Sequence, residues 1–545
     1  MVFAASASIT LTAIGLALAG GSALPSDAIR VGGPSAPGDV KFAFVGSSAS
    51  RAGADFEVRN ARGQVVLRGK LDPADGSPAP WRHAAVADLS DVRTAGAFTV
   101  RVGSVVSRAW VVRSDATSEP LRLMLRFFAT QSDGRERSPS HGPAHLNDAT
   151  VASGPHKGER IDLTGGWMDA GDMIHFTHTT AFAAVALQAA GRLDARNRSR
   201  LNAAADVGVR WLVKAHPAPD LFIYQVGDLR DHEVGFRRPD ADDRSSAPGI
   251  GRRFASPAVS ADLAGKTAAA LALAADRAGG AARAALLEQA EDWYAMGKKS
   301  RRAGPVVRDG LYAGSSWRDD MAVGAAALYR STGRPAYLND AVAYLRASSV
   351  AVPLGWDDVA ALAAADLCGT LGAPPAPEPA RRFACSKLKA GGEAAVASAA
   401  TNAFATPGPF GWGQTGANGG AGAVAALAAR AGAYPDGARV AAAARDWLFG
   451  RNPWGASFVV GFGPVPARRP HHWAQKYTPG EPRGAVVGGP APRASIVAQG
   501  FKPPSSPFDT PQATYEDRTA NYVTSEPAID YTATSVLLLA ALSAG

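Results

Sequence analysis

The stretch "AFAAVALQAAGRL", residues 181–193, decides how the chain folds. Alanine and leucine are strong helix formers, and alanine lets neighbouring helices approach closely, so a run this rich in them reads as a tightly packed helix. The same character recurs in "RLNAAADVGVRWLVKAH" (200–216), "AGKTAAALALAADRAG" (264–279), "DDMAVGAAALYRSTG" (319–333), "GAVAALAARAG" (422–432) and "DYTATSVLLLAALSAG" (530–545). Each run is bounded by Gly, Pro or polar loops. No strand–helix alternation is visible, which disfavours a doubly wound sheet. Paired helices with long loops from residue 118 onward predict a mostly α, α/α toroid with its chemistry in loops at one end.

Upstream, residues 29–113 read differently. "KFAFV", "DFEVRN", "QVVLRGKL" and "AFTVRV" contain period-2 alternation, which places Phe98, Val100 and Val102 on one face and Thr99 and Arg101 on the other. Several short strands separated by turns predict a small β-sandwich. The start, "ITLTAIGLALAGGSALPSDA" (9–28), is a short apolar run ending in small residues, the pattern of a signal peptide cleaved near Ala23, although no Lys or Arg precedes Arg30. The expected division is a signal peptide over 1–27, a β-sandwich over 28–114 and a helical domain over 118–545, in a secreted or periplasmic protein with no membrane span.

The 545 residues are 46% hydrophobic with 59 Gly and 38 Pro, a globular and loop-rich composition. The net charge of +9 comes from dispersed basic residues, many beside acids, and no nucleic-acid motif accompanies it, so nucleic acid is not an expected partner. Two cysteines, Cys368 and Cys385, exclude a disulfide framework and a Cys-rich zinc site, and leave open whether they pair.

Three constellations carry chemistry. "GGWMDAGD" (165–172) holds Asp169 and Asp172 three residues apart before a helix, where they either cap the helix or enter a cleft that Gly165, Gly166 and Gly171 allow the backbone to shape. "GFGPVPARRPHHW" (461–473) sets His471 and His472 on a Pro-bounded loop with no third ligand at local zinc spacing. "YEDRTANYVTSEPAIDYTA" (515–533) puts Glu526 before Pro527, which biases it away from helical angles and places it at the mouth of the last helix.

These blocks, with "IYQVGDLRDH", "GKTAAALALAA", "YAGSSWRDDMAVGAAALYRSTG", "GWDDVAALAAADL" and "GWGQTGANGGAGAVAAL" in the same order, resemble glycoside hydrolase family 9, the cellulase family of inverting β-glucan hydrolases. "AIRVGGPSAPGDVKFAFVG" resembles the immunoglobulin-like module that often precedes that family's (α/α)6 barrel. The resemblance implies an inverting hydrolase of β-1,4-glucan or a related polysaccharide or oligosaccharide, with Asp172 as base, Asp169 holding the water and Glu526 as acid. It also implies that His471 contacts substrate, that Asp517 is the aspartate preceding the acid, and that Trp317, Trp356, Trp412 and Tyr531 present rings to sugar. No cofactor is required for this chemistry. Structural calcium is common in relatives, and "DADD" (240–243) offers oxygen ligands.

The chain departs from the family pattern where "PHHR" becomes "PHHW", with Trp473 in place of a substrate-holding arginine, and where Ser525 and Thr532 replace asparagines. An indole keeps one N–H donor and adds an apolar face, so Trp473 is expected to bind sugar by stacking and to weaken activity on carboxymethylcellulose. Alternatives are an exo-acting enzyme on amino or modified sugars, an enzyme for an anionic polysaccharide, and a non-catalytic polysaccharide-binding protein on the same scaffold.

Overall fold

The computed structural model describes residues 24–304, 311–350, 352–372 and 374–543, so most of the expected signal peptide lies outside the described residues. The first domain is a sandwich of two antiparallel sheets. One runs Ala28–Val31, Phe42–Ser47, His83–Asp88, Asp72–Pro73 in spatial order; the other runs Val65–Lys70, Asp55–Asn60, Gly96–Val102, Val105–Val106, with Trp110–Val112 also paired to Gly96–Val102. Alternation works as expected: Phe98, Val100 and Val102 are buried while Arg101 is exposed. They pack with Phe56, Val58 and Trp110 between the sheets.

Twelve longer helices follow among the described residues: α1 Ser118–Gln131, α2 Thr177–Leu193, α3 Arg198–Lys214, α4 Ala261–Ala275, α5 Gly280–Ser300, α6 Arg318–Thr332, α7 Pro335–Arg346, α8 Ala360–Cys368, α9 Ala380–Ala399, α10 Gln414–Arg430, α11 Gly437–Leu448 and α12 Ile529–Leu542. Helices α2, α4, α6, α8, α10 and α12 pack successively into a closed inner ring, and α12 returns to α2. Each inner helix is partnered by an outer one, with α1 covering α12. This is an (α/α)6 barrel behind an immunoglobulin-like sandwich.

Composition explains which helices go inside. Helix α4 is buried along its whole length, whereas α5 buries only Ala290, Trp293, Tyr294 and Gly297. A helix apolar all round has to be surrounded, and one with a single stripe belongs outside. Small residues set the spacing: a Cβ on Gly265 would lie 2.4 Å from the Asp320 carbonyl, and one on Gly324 would lie 2.6 Å from the Gly265 oxygen. Cys368 and Cys385 form a disulfide that ties α8 to α9.

The two domains are joined by a built interface. Phe44 of the sandwich stacks on Phe404 at 3.9 Å, the Arg30 guanidinium donates to the Pro453 carbonyl at 2.8 Å, and buried Arg445 pairs with Asp39.

Candidate active site

The segments that precede inner-ring helices carry nearly all the singled-out residues: Asp169 and Asp172 before α2, Trp317 before α6, Trp356 before α8, Trp412 before α10 and Glu526 before α12. Closure of α12 onto α2 brings the first and last of these segments together. The Gly171 N–H donates to Glu526 Oε1 at 3.3 Å, and the Ile529 N–H donates to the Asp169 carbonyl at 2.9 Å. A Cβ on Gly171 would lie 2.3 Å from the His471 carbonyl oxygen, so the third constellation meets the other two at this glycine. Glu526 has extended backbone angles of φ −74° and ψ 127°, as Pro527 requires.

The carboxyls differ sharply in surroundings. Asp172 Oδ1 accepts from the Ile174 N–H at 3.1 Å, and Oδ2 lies 2.8 Å from His232 Nε2. The bond to Asp172 raises the His232 pKa to about 9, which makes this ring a cation at neutral pH. Burial, followed by the charge of Asp172, raises the Glu526 pKa to about 8. Asp169 is buried and accepts from the Thr179 and Tyr312 hydroxyls. Burial and the nearby Asp530 and Asp172 push its pKa well above the carboxylate range, so Asp172 is the better candidate for the base.

Both histidines of "PHHW" are neutral. The Nδ1–H of His471 donates to the Thr519 carbonyl at 2.7 Å, and burial lowers its pKa, which leaves Nε2 as an acceptor. His472 has a different job. Its Nδ1 accepts from the Ala474 N–H at 3.0 Å and its Nε2 donates to Gln131 Oε1 at 2.8 Å. Gln131 in turn donates to the Met168 and Ala170 carbonyls, linking this loop to the DAGD segment. Asp517 shapes the loop that carries His471: its two oxygens accept the Arg468 and Arg469 N–H groups at 2.9 Å each.

The expected aromatic platforms separate. Trp356 packs edge-on against Tyr312 at 5.1 Å and Trp412 is 47% exposed, 5.7 Å from Tyr522. Tyr531 lies against Gly413 and Gly416. Trp317 leans onto Tyr344 of outer helix α7 at 5.7 Å, with the Arg318 guanidinium over its ring. The expectation for Trp473 fails: it is fully buried in a cluster with Met168, Met173 and Ala474, and cannot stack on sugar. An apolar residue at that position inserts beneath the loop, where an arginine would lack solvent and partners.

The "DADD" loop does not fit calcium. Arg237 pairs with Asp242 at 2.7 Å, Arg238 pairs with Asp240 at 2.8 Å, and Asp243 accepts from Asn147 at 3.3 Å, so its carboxylates are engaged. No group of three or more His, Cys, Asp or Glu residues among the described residues is arranged to hold a metal.

Sequence reading missed two residues of the site, Tyr312 and His232, although both lie inside quoted blocks. The signal for His232 was its place in "GDLRDH"; for Tyr312 it was the tyrosine opening "YAGSSW". Also missed was a buried brace behind Asp172. Asp133 accepts from His145 at 2.7 Å, His175 at 2.9 Å and Arg253 at 3.0 Å. Arg253 also pairs with Asp148 and donates to the Met173 carbonyl, while Asp231 accepts from the Met173 N–H at 3.0 Å. The residue next to Asp172 is thereby held at both backbone groups.

Known proteins resemble this chain in sequence and fold. The profile of glycosyl hydrolase family 9 matches residues 118–539, and that of the cellulase N-terminal ig-like domain matches residues 36–107. Endoglucanase 13 of Arabidopsis thaliana is 29% identical over 80% of this chain and 95% of its own. Endoglucanase B of Cellulomonas fimi is 28% identical over 78% of this chain, which spans 42% of that longer protein. A thermostable endoglucanase from Alicyclobacillus acidocaldarius superposes with a TM-score of 0.80 at 26% identity, covering 95% of this chain and all of that one. With the profile matching most of the chain and the cleft assembled from its blocks, the protein belongs to glycosyl hydrolase family 9 and is a glycosidase.

Proposed function

We propose that the protein hydrolyses β-1,4-linked glucan chains with inversion at the anomeric carbon, using Asp172 as base and Glu526 as acid. The observation that carries the reading is the convergence on Gly171 of two carboxyls in opposite environments, one beside a cation and one buried and protonated at neutral pH. Inversion needs that division: a carboxylate to take a proton from water on one side of the sugar, and a carboxylic acid to protonate the departing oxygen on the other. Hydrogen bonds from Ile174 and His232 orient Asp172 and leave it lone pairs for water. Asp169, held by Thr179 and Tyr312, positions that water, and neutral His471 accepts from a sugar hydroxyl. Trp356 and Trp412 supply apolar faces for pyranose rings.

The disulfide supports export, because such bonds persist in oxidising compartments. Among the described residues no helix is long and apolar enough to cross a membrane. The test of the mechanism is NMR of cellopentaose hydrolysis from time zero. The α-anomer is expected first, and an initially formed β-anomer overturns the assignment of a water between base and acid.

A further inference from the structure

The loops around the acid are cationic on their outer side. Arg468, Arg469 and Lys476 are exposed, and none has an acidic partner within ion-pair distance among the described residues. The nearest carboxylate by connectivity, Asp517, accepts the Arg468 and Arg469 backbone N–H groups rather than their guanidinium groups. Arg518 is 49% exposed and reaches Glu516 only at 3.7 Å. The adjoining loop, which meets Lys476 through the Phe236 carbonyl, differs: Arg230, Arg237 and Arg238 are each paired with aspartates of their own loop.

Hydrogen bonds fix this cationic rim to the reacting groups. The Ser525 hydroxyl, next to Glu526, donates to the Arg518 carbonyl at 2.8 Å, and the His471 N–H donates to the Ser525 carbonyl at 3.0 Å. Gln475 donates to the Arg468 carbonyl at 3.1 Å, and Lys476 Nζ reaches the Phe236 carbonyl at 3.3 Å. The Phe236 ring packs on His471 at 4.7 Å, and His471 packs on Tyr522 at 5.5 Å. Aromatic rings therefore line the wall and cations edge it.

The geometry points to a polysaccharide substrate that carries carboxylates, with the anionic groups on the part of the chain that departs beside Glu526. This inference rests on the proposed glucan hydrolysis and names the substrate class for the same cleft. The departing part lies on the acid's side because the acid protonates its oxygen. A carboxylate at the scissile bond itself meets the Asp172 carboxylate and is repelled, so the charge belongs on sugars farther out, along the rim. Such exposed attraction is long-ranged and screened by salt. The burial of Trp473 removes the premise for weak carboxymethylcellulose activity, and the rim predicts the opposite.

The test uses carboxymethylcellulose as anionic probe, hydroxyethylcellulose as neutral polymer and cellopentaose as neutral oligosaccharide. Raising salt from about 0.02 M to about 0.5 M is expected to lower kcat/KM on carboxymethylcellulose roughly tenfold while changing the hydroxyethylcellulose value little. The R468A/R469A/R518A variant keeps the backbone groups that hold the loops. It is expected to lower the carboxymethylcellulose-to-cellopentaose ratio of kcat/KM about tenfold, by loss of attraction at the rim. An equal salt response on both polymers, or an unchanged ratio in the variant, overturns the inference. If cellopentaose is not cleaved, the glucan-hydrolase reading fails instead. Retardation of Glu526→Gln in native gels containing either polymer then decides the rim separately: salt-sensitive retardation by carboxymethylcellulose alone supports it, and equal retardation by both refutes it.

Discussion

The two walls of the cleft are built from opposite materials. Behind Asp172 lies a buried ion network, in which Asp133, Arg253, His145 and Asp148 clamp the backbone that follows the base. Behind Glu526 the connections are neutral: His472 to Gln131, Ser525 to Arg518, His471 to Thr519. Burial and the negative charge of Asp172 keep the proton on Glu526, while Asp172 itself sits against the His232 cation. The contrast separates acid from base without requiring a different residue type beyond one methylene.

The largest effect should come from removing either carboxyl. Glu526→Gln is expected to lower kcat on cellopentaose by about 10²- to 10⁴-fold with folding intact, and near-native turnover would remove Glu526 from the mechanism. Asp172→Asn should fall comparably, but azide should restore turnover only there, because only that variant lacks activation of the nucleophile.

The next test attacks the charged wall. Asp133→Asn leaves Arg253 and two histidines facing a neutral amide in the interior, which should cost ~3–5 kcal/mol in chemical denaturation. A loss below about 1 kcal/mol would mean that the brace is dispensable. On the neutral wall, Trp473→Arg should destabilise by a few kcal/mol, since it places a guanidinium in an apolar cluster rather than in the cleft. A stable variant with altered substrate preference would restore the reading of this position as a sugar contact.

The smallest effect is a shift of pH dependence. Glu526 must be protonated to act, so kcat/KM should decline as pH rises through about 8, where its proton is lost. The His232 cation lowers that pKa, so His232→Ala should move the alkaline limb to higher pH. A limb that stays in place or moves down would separate His232 from the acid.

How much was legible depended on whether a residue's role follows from its local sequence. Pro527 alone places Glu526 outside α12, and the alternation of Phe98, Val100 and Val102 alone marks a sandwich face. Asp517 shows the limit: its motif located it near the acid, but its bonds to two N–H groups depend on a loop nearly fifty residues away. Trp473 shows the failure. A loop position carries no periodicity to say which way its side chain points, so an arginine-to-tryptophan difference was read as a new surface when the ring turned inward.

The sequence by itself determined the two domains, the barrel class and the two segments that hold the carboxyls, because helix propensity, strand alternation and proline geometry act over a few residues. Tertiary structure alone decided the environment of each carboxyl, the partners His232 and Tyr312, and the pairing of the cysteines. Ring closure joins α12 to α2 across most of the chain, and both burial and Coulomb energies depend on those distances in space rather than on position in the chain.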